Sequence, residues 1–214
     1  MSDNSLITIS TYHEYLLEAI VSLQEGLSRK GIEGEIFSRY SFLLISNSLE
    51  AAANALLLSL DFEKDYYEEL EKLGTLTKFK TFCKFKNKTL PIGDIKFARI
   101  KDIISCRNEF VHPKPKRVDF IFDKGIKDYA YKTIKTKNRN YPLYFSEIKP
   151  LHVLTALDDA LTFIAWICFD ICKLKIKEGA LMLGFGSCSW TGDITTLSLE
   201  YNLSLDQRSF GKSK

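Results

Sequence analysis

Histidine is scarce in this chain. Only His13, His112 and His152 occur in 214 residues, and none stands at ligand spacing from another, so a zinc site of the HxxxH or Cys/His kind has no support. The five cysteines (Cys83, Cys106, Cys168, Cys172, Cys188) form an odd set with no CxxC pair. That pattern points to reduced thiols and a cytoplasmic protein rather than a disulfide scaffold. The first ten residues have neither a basic start nor a long apolar run, so no secretory leader is expected. The most apolar stretch, 160–174, is short for a membrane span and contains Asp170, so it reads as a buried helix, with no membrane partner. No repeat, low-complexity tract or alternating βαβ pattern occurs, which removes solenoids and parallel-sheet folds.

Net charge is also small, +3 from 30 basic and 27 acidic residues, and by itself argues against a nucleic-acid partner. Its distribution argues otherwise. Residues 72–149 carry a balance of +13 and the remainder −10. A basic middle third between acidic ends is the asymmetry that a polyanion-binding face leaves. Lysines paired with glutamates on other helices would leave it as well.

What is present is helical periodicity. Tyr12, Tyr15, Leu16, Ala19, Ile20, Leu23 and Leu27 form one stripe over 11–28, closed by Gly31. A longer helix is expected from about Ser38 to Leu60. Its Leu49–Leu58 stretch is rich in strong helix formers and small residues, with Glu50 and Asn54 four apart on one face. Residues 61–73 read as a short acidic helix and 75–86 as another, apolar at Leu76, Phe79, Phe82, Cys83 and Phe85 with lysines opposite. Asp94 is placed to cap a helix carrying Ile95, Phe97, Ile100, Ile103 and Cys106, which Pro113 stops near His112. Pro150 opens a last long helix to about Lys177, apolar nearly all round, whose Cys168 and Cys172 read as core and whose Asp158 and Asp159 read as its polar edge.

Two segments change period. Within 117–145, Val118, Phe120 and Phe122 alternate, Asp123-Lys124-Gly125 is turn chemistry, and Tyr129 and Tyr131 alternate again, so a basic β-hairpin is expected there. In the tail, Leu197, Leu199, Tyr201, Leu203 and Leu205 alternate with polar residues as one strand. The expected organisation is a mainly α domain over 1–178, a bundle of four to five long helices with that hairpin inserted, followed by a β or irregular extension over 179–214. Gly186-Ser187 followed by Asp193 is too short, and lacks the second carboxylate, for nucleotidyl transfer.

One constellation carries chemistry: Arg107-Asn108-Glu109-Phe110-Val111-His112-Pro113-Lys114-Pro115-Lys116-Arg117. RNA cleavage needs a group to take the 2′-hydroxyl proton, one to protonate the leaving oxygen, and positive charge at the phosphate. Histidine suits both proton roles near neutrality, and the arginine fork binds phosphate oxygens in pairs. Arg107 and His112 lie about 140° apart on an ideal helix, so they converge only if the last turn unwinds, for which Pro113 supplies a reason. Asn108, one turn before His112, can orient it or bind the substrate backbone. Lys114, Lys116 and Arg117 would hold flanking phosphates. Alternatively, Arg107 pairs with Glu50 or Glu109 while His112 caps its own helix.

The string resembles the Arg-x4-6-His motif of the HEPN superfamily (higher eukaryotes and prokaryotes nucleotide-binding domains), and the helical pattern over 11–177 is similar too. The resemblance implies a metal-independent, cofactor-free endoribonuclease acting as a homodimer, in a toxin–antitoxin or phage-defence setting with a cognate antitoxin or defence-system protein as partner. It implies Arg107 and His112 as catalytic, Asn108 beside them, and Glu50 as a helix-two carboxylate that holds the Arg107 guanidinium. The same resemblance also covers non-catalytic dimers that bind RNA or protein. A purely structural helical module is the third reading.

Overall fold

The computed structural model describes residues 11–112, 140–142 and 145–183, apart from the side chains of 180 and 181. Seven α-helices lie within these: α1 (Tyr12–Ser28), α2 (Ile32–Leu58), α3 (Lys64–Glu71), α4 (Thr75–Phe85), α5 (Ile95–Val111), α6 (Pro150–Ala165) and α7 (Ile176–Met182). The chain is mainly α, and no strand occurs among the described residues. The hairpin expected within 117–145 lies outside them except for 140–142 and 145, and the tail strand lies outside them altogether. Residues 145–147, at the hairpin's expected end, form a 3-10 turn.

α2 is the central post, packed by α1 along one side and by α4 and α6 along others, with α5 against α6. α2 and the Pro150–Ile171 stretch are each long and apolar enough to cross a membrane. About two thirds of each apolar window, 67% and 61%, is buried inside the protein.

α1 and α2 are joined by a tight reversal at Gly31, whose φ of +67° is costly for any residue with a side chain. α2 therefore starts at Ile32, six residues before the expected Ser38. Gly34, within α2, is a helix-packing glycine. Ser41 donates to the Ala19 carbonyl (2.6 Å) and Ser22 to the Phe37 carbonyl (3.0 Å), drawing the two backbones together. A Cβ on Gly34 would lie 2.6 Å from the Arg29 carbonyl oxygen and 2.7 Å from that of Gly26. Both are backbone atoms and cannot swing aside. Gly34→Ala is thus expected to destabilise the protein by about 1–3 kcal/mol in chemical denaturation. Gly93→Ala, whose Cβ meets nothing within 4 Å, should be neutral, and equal effects at the two positions would refute the close-packing account.

The last long helix is shorter than expected. α6 gives way at Trp166 to a π turn (Trp166–Ile171), and the Cys172 N–H reaches back five residues to the Ile167 carbonyl (2.9 Å). Lys173 then takes φ +56° and the chain breaks before α7. No proline or glycine marks that break. α7 runs across residue 178, where the helical domain was expected to end.

Asp159 is likewise not a polar edge. Its carboxylate is buried, accepting from Arg99 Nη1 (2.7 Å) and Tyr141 Oη (2.7 Å). Burial, then the Asp159 charge, pushes the Tyr141 phenol well above its ordinary range. Asp158 stays on the exposed side.

Candidate functional site

α5 is built from its first residue for two jobs. The Asp94 carboxylate accepts from the Lys96 N–H (2.8 Å) and starts the helix. Phe97, Ile100, Ile103 and Cys106 then bury one face. Lys101, Ser105, Asn108 and His112, spaced by four, three and four, form a different stripe. That stripe lines a groove of about 700 Å³ together with Ile104 and Glu109 of the same helix and Leu76 of α4.

The motif residues sit at the end of this groove. α5 keeps its helical bonds to Val111, and the His112 N–H still donates to the Asn108 carbonyl (2.9 Å). Only His112 itself leaves helical geometry, at φ −126° and ψ 65°. The unwinding expected to bring Arg107 onto His112 therefore does not occur before His112. Asn108 links them instead: Arg107 Nη1 donates to Asn108 Oδ1 (3.0 Å), and Asn108 lines the groove with His112. Arg107 does not line the groove itself. Lys114, Lys116 and Arg117 lie outside the described residues.

Glu50 is engaged elsewhere than expected. Its carboxylate accepts from Thr75 Oγ1 and from Lys78 Nζ, both on α4, rather than from Arg107. Lys78, expected among the solvent-facing lysines, is only 2% exposed. Glu50 thus anchors the start of α4, one residue before the groove-lining Leu76. The Arg107 guanidinium contacts Asn108 Oδ1, and the Glu50 carboxylate that was expected to hold it is taken by Thr75 and Lys78.

Past the motif, the described chain resumes along α5. Asp102 accepts from the Asn140 backbone N–H (3.1 Å) and Nδ2 (3.2 Å), and Phe145 stacks on Phe110 with centroids 3.9 Å apart. Phe110 and Phe145 meet Ile36, Arg39, Tyr40 and Leu43 in a second, apolar groove of about 550 Å³. Ile32, Ile36 and Tyr40 continue this face along α2 and are more than half exposed.

Lys101 and Ser105 were not singled out from sequence, although their helical spacing behind His112 would have found them. His152 is occupied: its Nδ1 accepts from the Lys149 N–H (3.1 Å) at the start of α6. Burial, then the Lys149 charge, lowers its basicity. Among the described residues, no group of three or more His, Cys, Asp or Glu side chains is placed to hold a metal ion. Comparison with known proteins finds no matching family model, no matching curated protein and no matching solved structure.

Proposed function

We propose that this chain is a cytoplasmic, metal-independent endoribonuclease of the HEPN type, working as a homodimer in a toxin–antitoxin or phage-defence setting. The observation that supports it is the shared groove: Lys101, Ser105, Asn108 and His112 on one stripe, with Arg107 held against Asn108. In this reading His112 moves the proton between the 2′-hydroxyl and the leaving 5′-oxygen. Arg107 takes the phosphate oxygens as charge builds, Asn108 positions Arg107, and Lys101 with Lys114, Lys116 and Arg117 holds neighbouring phosphates. The products are a 2′,3′-cyclic phosphate and a 5′-hydroxyl end. The apolar face of Ile32, Ile36, Tyr40 and Phe110 beside the motif supports a second copy, or a cognate antitoxin or defence protein, as partner.

That face also favours the second reading, a non-catalytic dimer that binds RNA or protein. Incubating the purified protein with RNA in EDTA separates the two. Cleavage products with cyclic phosphate ends are expected, and salt-sensitive binding without products would leave only the second. Lys101→Ala is expected to weaken RNA binding and to lower the slope of log affinity against log salt by about one contact. An unchanged slope would remove Lys101 from the interface.

A further inference from the structure

Three of the cysteines lie where α4 meets the end of the π turn. Cys83, in the last turn of α4, and Cys172, the residue that closes the π turn, are 89 positions apart in sequence, yet their Sγ atoms are 3.9 Å apart and share a hydrogen bond. Both are buried, Cys83 wholly and Cys172 at 9% exposure. A disulfide needs the sulfurs about 2 Å closer than this. The position of Cys172 allows such an approach. It sits on a chain reversal, followed by Lys173 at φ +56° and by the Leu174 N–H bonded back to the Cys168 carbonyl (2.9 Å).

The two thiols are also chemically unequal. The hydrogen bond with Cys83 and the charges of Lys86 and Lys88 favour the Cys172 thiolate, against its burial. The same hydrogen bond, then burial, keeps Cys83 protonated. Cys168, within the π turn, is held protonated by burial. One thiol that leans to the thiolate, in contact with one that stays protonated, is an oxidisable pair.

We propose that Cys83 and Cys172 are a modification site, forming a reversible intramolecular disulfide when the protein meets a peroxide. The Cys172 thiolate attacks one peroxide oxygen and the O–O bond breaks. The departing hydroxide is protonated to water, leaving a sulfenic acid on Cys172. Cys83 Sγ then attacks Cys172 Sγ, and the expelled hydroxide takes the Cys83 proton as a second water. Two thiols lose two electrons and one peroxide gains them. A dithiol reverses the reaction. The bond ties α4 to the end of the π turn across an 89-residue separation.

The test treats the full chain with hydrogen peroxide, blocks remaining thiols under denaturing conditions, and maps unreduced peptides by mass spectrometry. A Cys83–Cys172 linked peptide two hydrogens lighter than its parts is expected, with a rise in melting temperature of roughly 5–15 °C, both reversed by dithiothreitol. Cys83→Ala should stop at Cys172 and carry it on to the sulfinic acid. The wild-type peptide map decides the matter even if that variant folds poorly. Recovery of both cysteines as blocked thiols after peroxide, or linkage of Cys172 to Cys168, Cys106 or Cys188 instead, overturns the proposal.

Discussion

His112→Ala is expected to lower RNA cleavage by about a hundredfold to ten-thousandfold, the range that a positioned general acid or base contributes, while the fold is retained. Retention follows from its position. His112 is exposed at the end of α5, and the bond that it gives the helix, N–H to the Asn108 carbonyl at 2.9 Å, comes from its backbone. Removing the imidazole should shift stability by no more than about 0.5 kcal/mol. Circular dichroism and thermal melting of the variant therefore separate lost chemistry from lost structure. Cleavage by His112→Ala at the wild-type rate would end the assignment of His112.

The neighbouring residues extend that test. Arg107→Lys keeps the charge but loses the two-pronged donor, so it should fall well below wild type. Asn108→Ala removes the contact that holds the Arg107 guanidinium at 3.0 Å. If Asn108 acts through Arg107, Asn108→Ala should cost little once Arg107 is already alanine, because the coupling between touching residues is then gone. Additive losses would mean that Asn108 meets the substrate on its own.

The ends of α1 and α5 were legible because each is written locally, in an apolar stripe for α1 and in Asp94 and Pro113 for α5. α2 misleads for a physical reason. Gly31 and Gly34 are the residue type of loops, but one turns the chain at positive φ and the other lets two helix backbones touch. The break after Ile171 has no glycine or proline to announce it, since a π turn is set by where the hydrogen bonds go rather than by residue type. The basic middle of the chain was visible, but not how much of it is already paired. Lys78 is spent on Glu50 and Arg99 on Asp159, pairings across 28 and 60 residues that no local period encodes. For the site, the motif and its place at a helix end could be read directly. The link between Arg107 and Asn108 could not, because it depends on the last turn staying wound.

Breaking the Glu50–Lys78 pair should have the largest effect on stability of any single contact. The two ends of the pair differ in exposure: Lys78 is 2% exposed and the Glu50 side chain 38%. Lys78→Ala strands a carboxylate that water still reaches and that keeps the Thr75 hydroxyl, so its cost is expected at about 2–3 kcal/mol. Glu50→Ala strands the ammonium of a lysine that is almost wholly buried, at about 3–5 kcal/mol. Replacing both, Glu50→Gln with Lys78→Met, removes the charge and the desolvation cost together and should recover most of the loss, since buried ion pairs exchange for apolar contacts at little net cost. Urea denaturation of the four proteins should therefore rank Glu50→Ala below Lys78→Ala, with the double variant nearest wild type. A double variant less stable than either single would refute the account of the pair. Because Glu50 also holds Thr75 at the start of α4, next to Leu76 in the groove, Glu50→Ala should lose cleavage in excess of its unfolded fraction, whereas Lys78→Ala, which keeps that contact, should not.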